Sequence, residues 1–155
     1  MNRVTTRPFK ADDSPAFRDL NLAWIMAYFE MEPLDYELLE QPQAQIIERG
    51  GAIEVAELEG AVVGVVALLY LAPGYYELAK MAVREDLRGH GIGHVLMESV
   101  LKRARQMKAQ KLLIVSNTQL AGALHLYRKF GFVDIPVPLD KEYKRADVMM
   151  EIHLS

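Results

Sequence analysis

Three glycines in five positions, within Arg88-Gly89-His90-Gly91-Ile92-Gly93, mark the stretch of this chain best suited to ligand chemistry. It lies between an apolar stretch, 76–83, and an amphipathic one that starts at Gly91. Glycine admits positive φ and lets a ligand approach the backbone closely. A helix that opens straight after such a loop carries amide N–H groups without internal acceptors, and its dipole is positive there. These features make a cradle for a diphosphate. The same glycines would also serve a tight strand–helix turn with no ligand. The spacing excludes a Walker A loop, because no Gly-Lys-Ser/Thr follows. It also misses the dinucleotide fingerprint, which needs Gly-x-Gly-x-x-Gly and an acidic ribose binder after the next strand. Here that strand ends at Ser116-Asn117.

The bulk properties narrow the field further. The 155 residues fit one domain spanning 1–155, long enough for a core without staples. Cysteine is absent, so thiol nucleophiles, thiolate metal sites and disulfides are excluded. The four histidines, His90, His94, His125 and His153, are scattered, and no metal is expected. A formal net charge of −3 with no dominant basic stripe argues against nucleic-acid binding. Lys102-Arg103-Ala104-Arg105 falls at a predicted helix end, where cations complement the dipole. The longest apolar run, 61–72, is too short to span a bilayer, and the first seven residues lack the apolar run of a signal peptide. A cytoplasmic location without membrane association is the expectation.

The elements that must position the loop follow from periodicity. Val4 to Phe9 predicts a first strand. Ser14-Pro15 opens a helix whose apolar positions include Phe17, Leu20, Trp24, Ala27, Tyr28 and Met31, and Pro33 is expected to stop it. A broken helical stretch runs from Asp35 past Pro42 to Gly50-Gly51. Ala52 to Leu58, Ala61 to Leu71 and Tyr76 to Val83 predict an antiparallel meander, with Glu59-Gly60 as a tight turn. Gly91 to about Lys108 predicts a helix, Lys111 to Ser116 a strand, and Leu120 to Phe130 a helix ended by Gly131. That strand–helix–strand unit is a crossover, so the strand from Lys111 should run parallel to the one from Tyr76. Val133 to Val137 and Asp147 to Leu154 supply the last strands.

Arg88, Gly91 and Gly93 match the Arg/Gln-x-x-Gly-x-Gly/Ala signature, and the chain resembles the GNAT superfamily of N-acetyltransferases. Glu77-Leu78-Ala79-Lys80-Met81-Ala82-Val83 is similar to the family's fourth strand. Asn117 with Ala123, Leu124, Tyr127, Lys129 and Gly131-Phe132 is similar to its second cofactor motif. The resemblance covers about Tyr76 to Val133. It implies an α/β fold of GNAT type: a mixed, mostly antiparallel central sheet with a splayed parallel strand pair and helices on both faces. It also implies acetyl-CoA as co-substrate, with the pantetheine arm on main-chain groups of Met81, Ala82 and Val83 and the diphosphate on Arg88, Gly89, His90, Gly91, Ile92, Gly93 and His94. Asn117 matches the position that reaches the pantetheine or phosphate region.

By the same resemblance Tyr127 matches the tyrosine that protonates the leaving thiolate, and Glu77 the glutamate base of some members. Tyr127 could instead pack with Leu120 and Leu124, and Glu77 could pair with Lys80 or end the strand. Trp24, Tyr28 and Glu32 are candidates for holding an acceptor ammonium, by cation–π contact and ion pairing. Tyr143 and Arg145 resemble a late Tyr-x-Arg feature of small-molecule members, with Arg145 pairing with a substrate carboxylate or a cofactor phosphate. The expected activity is direct acetyl transfer to a primary amine, of a small molecule or of a protein lysine or N-terminus. A non-catalytic acyl-CoA sensor and a nucleotide-phosphate enzyme are the competing readings. Dimerisation is common in the family.

Overall fold

The computed structural model describes residues 3–154. Seven strands form one sheet in the order β1-β2-β3-β4-β5-β7-β6. They are β1 Thr5–Pro8, β2 Ala52–Leu58, β3 Ala61–Ala72, β4 Tyr75–Val83, β5 Lys111–Ser116, β6 Val133–Ile135 and β7 Val148–His153. All neighbouring pairs are antiparallel except β4 and β5. Helices α1 Ser14–Tyr28 and α2 Pro33–Glu40 cover one face, and α3 Ile92–Gln106 and α4 Ala121–Lys129 cover the other. This is the mixed, doubly covered sheet expected from the sequence. β3 is buried through its middle, residues 63–68, as the central part of an apolar run should be.

Two expectations about the first helices change. The stripe that α1 buries is Phe17, Asn21 and Ile25, whereas Tyr28 is exposed. Asn21 can occupy that stripe because its polar atoms are satisfied: Nδ2 donates to the Phe17 carbonyl at 3.0 Å, and Oδ1 accepts from Trp24 Nε1 at 2.9 Å. Pro33 does not stop α1, which ends at Tyr28; it opens α2 in the first turn, where its missing N–H costs nothing. Glu32 and Asp35 cap that helix reciprocally.

The feature that shapes the site is an irregularity in β4. Val65 pairs with Ala82 and Ala67 with Ala79, so Lys80 and Met81 together oppose Val66. This is a bulge of two residues against one, and Lys80 takes positive φ, +54°. In a regular strand Glu77 and Lys80 would face opposite sides. The extra residue resets the alternation, so both sit on the α1–α2 side of the sheet while Tyr76, Leu78 and Met81 pack toward α3 and α4.

Candidate active site

β4 and β5 are in register over Tyr75–Lys111, Tyr76–Leu112 and Glu77–Leu113, and then separate. The splay leaves the β4 edge beyond Glu77 without a strand partner on that side. It opens a cavity of about 330 Å³ between β4, β5, α4 and the tail. Glu77, Tyr127, Met81, Ala82, Arg88 and Asn117, drawn from four separate segments, all line it. Trp24, Tyr28, Tyr143 and Arg145 line the same cavity. Val83, Glu32 and the loop residues from Gly89 to His94 do not.

The loop adjoins the cavity at Arg88. Gly89 and Gly91 have φ of +83° and +82°, and a side chain there would meet open space, so backbone conformation is what selects glycine. Gly91 is the N-cap of α3, and no side chain caps that end. Gly93 serves packing instead, since a Cβ on it would stand 3.1 Å from Leu126 of α4. The exposed end of α3 therefore presents uncapped first-turn amides beside the splay. The imidazoles turn elsewhere: His90 Nδ1 lies 3.1 Å from the Leu87 carbonyl, and His94 stacks near Phe130 and faces Glu98. Alanine at Gly91 must hold the left-handed conformation at about 1–2 kcal/mol. Gly91→Ala is expected to weaken CoA binding about tenfold by calorimetry, with the thermal midpoint lowered by a few degrees. Unchanged affinity would remove this turn from the phosphate cradle.

Glu77 is buried, and among the described residues no hydrogen bond or ion pair engages its carboxylate. Burial, reinforced by the charge of Glu142 and opposed by Lys80, pushes its pKa up to about 7. Tyr127 is also buried, its ring 6.2 Å from that of Phe132, and burial raises its pKa, so the phenol stays protonated across the neutral range. A carboxyl poised near neutrality on β4 and a protonated phenol on α4 thus line the same cavity.

The other end of the cavity holds a cluster that sequence reasoning did not find. Asp35, fully buried at the start of α2, binds Arg145 through both oxygens at 2.6 and 2.7 Å and also takes a hydrogen bond from Lys80 Nζ. Lys80 Nζ lies 4.9 Å from the centre of the Tyr143 ring and 5.9 Å from that of Trp24. The Arg145 guanidinium stands over the rings of Tyr143, Trp24 and Phe29 at 4.5 to 5.7 Å. Both prongs of Arg145 are thus held by the protein's own carboxylate. Glu32 accepts from the Lys144 and Arg145 amides at 2.8 and 3.3 Å, so it ties the tail rather than lining the cavity. Asn117 donates to the Arg145 carbonyl at 2.6 Å and accepts from the Gln119 amide at 2.8 Å, which fastens the same tail from the opposite side. A signal for Lys80 was present: a lysine within an apolar strand needs a buried partner. Asp35, 45 positions away, carried none.

Comparison with known proteins follows this geometry. A sequence model described as "Acetyltransferase (GNAT) family" matches residues 15–132. An "IAA acetyltransferase" of Azospirillum brasilense is 33% identical over 102 residues, covering 65% of this chain and 62% of that protein. An "Amino-acid acetyltransferase" of Mycobacterium tuberculosis is 27% identical over 133 residues, covering 86% of this chain and 70% of its own. The match thus spans only about two thirds of each relative's length. A solved GNAT family acetyltransferase from Elizabethkingia anophelis, with acetyl-CoA bound, superposes with a TM-score of 0.73 at 22% identity. The superposition covers 99% of this chain and all of that one, a likeness of fold.

Proposed function

The chain belongs to the GNAT acetyltransferase family, and from that premise we propose that it moves the acetyl group of acetyl-CoA directly to a primary amine of a small molecule. One observation carries the reading: the splay between β4 and β5 opens onto a single cavity whose wall holds the Glu77 carboxyl and the Tyr127 phenol. The residues present fit the co-substrate. The unpaired β4 edge at Met81, Ala82 and Val83 can accept an extended chain as a strand would, and the amides from Arg88 to His94 suit its diphosphate. When bound, acetyl-CoA supplies a thioester electrophile.

The remaining steps belong to side chains. An acceptor amine has an ordinary pKa near 10 and arrives protonated. Glu77, ionised above about pH 7, takes that proton directly or through water and frees the nitrogen lone pair. Trp24 and Tyr143, whose rings stand against Lys80 and Arg145, give the acceptor an aromatic wall. Tyr127 donates a hydrogen bond to the departing sulfur. Its raised pKa makes it a poor acid, so its contribution is that bond, worth about 1.5–3 kcal/mol to a charged acceptor. No covalent nucleophile is required, because nitrogen attacks the thioester in a ternary complex. The modest volume of the cavity and its four aromatic residues, Trp24, Tyr28, Tyr127 and Tyr143, support a small acceptor over a protein segment.

The test is thiol release from acetyl-CoA in the presence of a panel of primary amines. Amine-dependent release is expected. Silence across the panel with calorimetrically confirmed CoA binding would replace the enzyme reading by that of a sensor. Tyr127→Phe is expected to lower kcat about 10- to 100-fold with little change in the KM for acetyl-CoA. A wild-type kcat in that variant would return Tyr127 to the core.

A further inference from the structure

We propose that the acceptor is an amine that also carries a carboxylate, and that Lys80 is the residue that reads that carboxylate. The inference rests on the acetyl-transfer reading and specifies its substrate class. Three observations lead to it.

Lys80 lies on the cavity wall with a side chain only 4% exposed, and Asp35 is its one ion-pair partner among the described residues. An ammonium has three donors, and Asp35 takes one. The rings of Tyr143 and Trp24 flank Nζ but accept no full hydrogen bond. Two N–H donors are thus left without a hydrogen-bond partner on a residue that lines the cavity.

The charges point the same way. Asp35 is already engaged bidentately by Arg145, so Lys80 shares its one ion-pair partner with a second buried cation and has the smaller share. Glu32 comes within 3.7 Å of Arg145 but is not paired with Lys80. A buried, under-compensated cation attracts an anion. Burial lowers the Lys80 pKa and the charges of Asp35 and Glu77 oppose that, so a further carboxylate on Nζ would favour the ammonium form.

Placement completes the case. The bulge at Lys80 puts it on the same side of the sheet as Glu77, three residues along the strand. An acceptor with its ammonium at Glu77 therefore has its neighbouring group directed toward Lys80. Arg145, the natural choice from sequence, is spent on Asp35. Lys80 is what remains.

The experiment measures kcat/KM for amino acids against the amines that lack only the carboxyl group, such as phenylalanine against phenethylamine and leucine against isoamylamine. Wild type is expected to favour the carboxylate-bearing member of at least one pair by about 10- to 100-fold, the effect of a hydrogen bond to a charged group. Lys80→Met, which leaves the Asp35–Arg145 pair in place, should reduce that ratio toward one, chiefly through the KM of the amino acid. A wild-type ratio at or below one overturns the proposal while leaving acetyl transfer standing, since the plain amine is then acetylated as well or better. A high ratio that persists in Lys80→Met also overturns it, because another group would be reading the carboxylate. If neither amines nor amino acids are acetylated although CoA binds, the transfer reading falls and this inference with it.

Discussion

Glu77→Gln is expected to lower kcat/KM by about 10²–10⁴-fold, the range for losing a positioned proton acceptor. Its pH profile separates a base from a packing role. In wild type, activity should fall as pH drops below about 7, where Glu77 takes up a proton and can no longer accept one from the amine. The variant should lack that inflection and retain only the slope set by deprotonation of the acceptor. Stability should move the other way. Burial raises the Glu77 pKa from its ordinary 4.5, and a group whose pKa is raised on folding contributes stability below the unfolded value that is lost as pH climbs through the folded one. Ionising a carboxyl with its pKa raised to about 7 costs about 3 kcal/mol. Glutamine cannot ionise, so its melting temperature relative to wild type should rise by several degrees between pH 4.5 and pH 8. If the difference in melting stays constant over that interval while activity is lost, Glu77 is not a strained buried acid.

The contrast between Glu77 and Lys80 shows what the sequence could and could not carry. The 88–93 loop is a local signal carried by its own glycines, and Glu77 and Tyr127 stand out through the family resemblance of the short motifs that hold them. The meander, the crossover and the parallel pair were legible because strand–turn–strand and strand–helix–strand constrain direction. The bulge was not, because a lysine in positive φ carries no turn residue to announce it. Without the bulge, alternation places Lys80 and Glu77 on opposite faces, and the one cavity becomes two unrelated sites. Asp35 was likewise hidden, and Glu32 and Asn117 stood out in the sequence only as candidate ligand contacts, not as tethers. Their work is to hold Lys80 or the 143–146 tail, and those contacts are made across the fold rather than along the chain. Arg145 was visible as a cation and still misled, because only its distance to Asp35 shows that both prongs are engaged.

Removing that hidden carboxylate should produce the largest loss of stability. In Asp35→Ala, Lys80 and Arg145 remain buried and mutually repulsive, and breaking a buried ion pair by deleting one partner costs about 3–5 kcal/mol. For a chain of this size that lowers the melting temperature by about 6–20 °C. The acid limb of wild-type stability has the same origin. Burial alone would raise the Asp35 pKa, but the Arg145 hydrogen bond and the charge of Lys80 outweigh it and bring the value down to about 2. A depressed carboxyl contributes stability above its unfolded pKa of 3.8 that is lost as pH falls through the folded one, so the penalty of Asp35→Ala should shrink between pH 4 and pH 2. Adding Lys80→Met to Asp35→Ala removes one of the stranded cations and should recover part of the lost stability, whereas two independent sites would add their costs. A double variant less stable than Asp35→Ala alone would mean that Lys80 is neutral in the fold, and the buried positive charge at this end of the cavity would then rest on Arg145 alone.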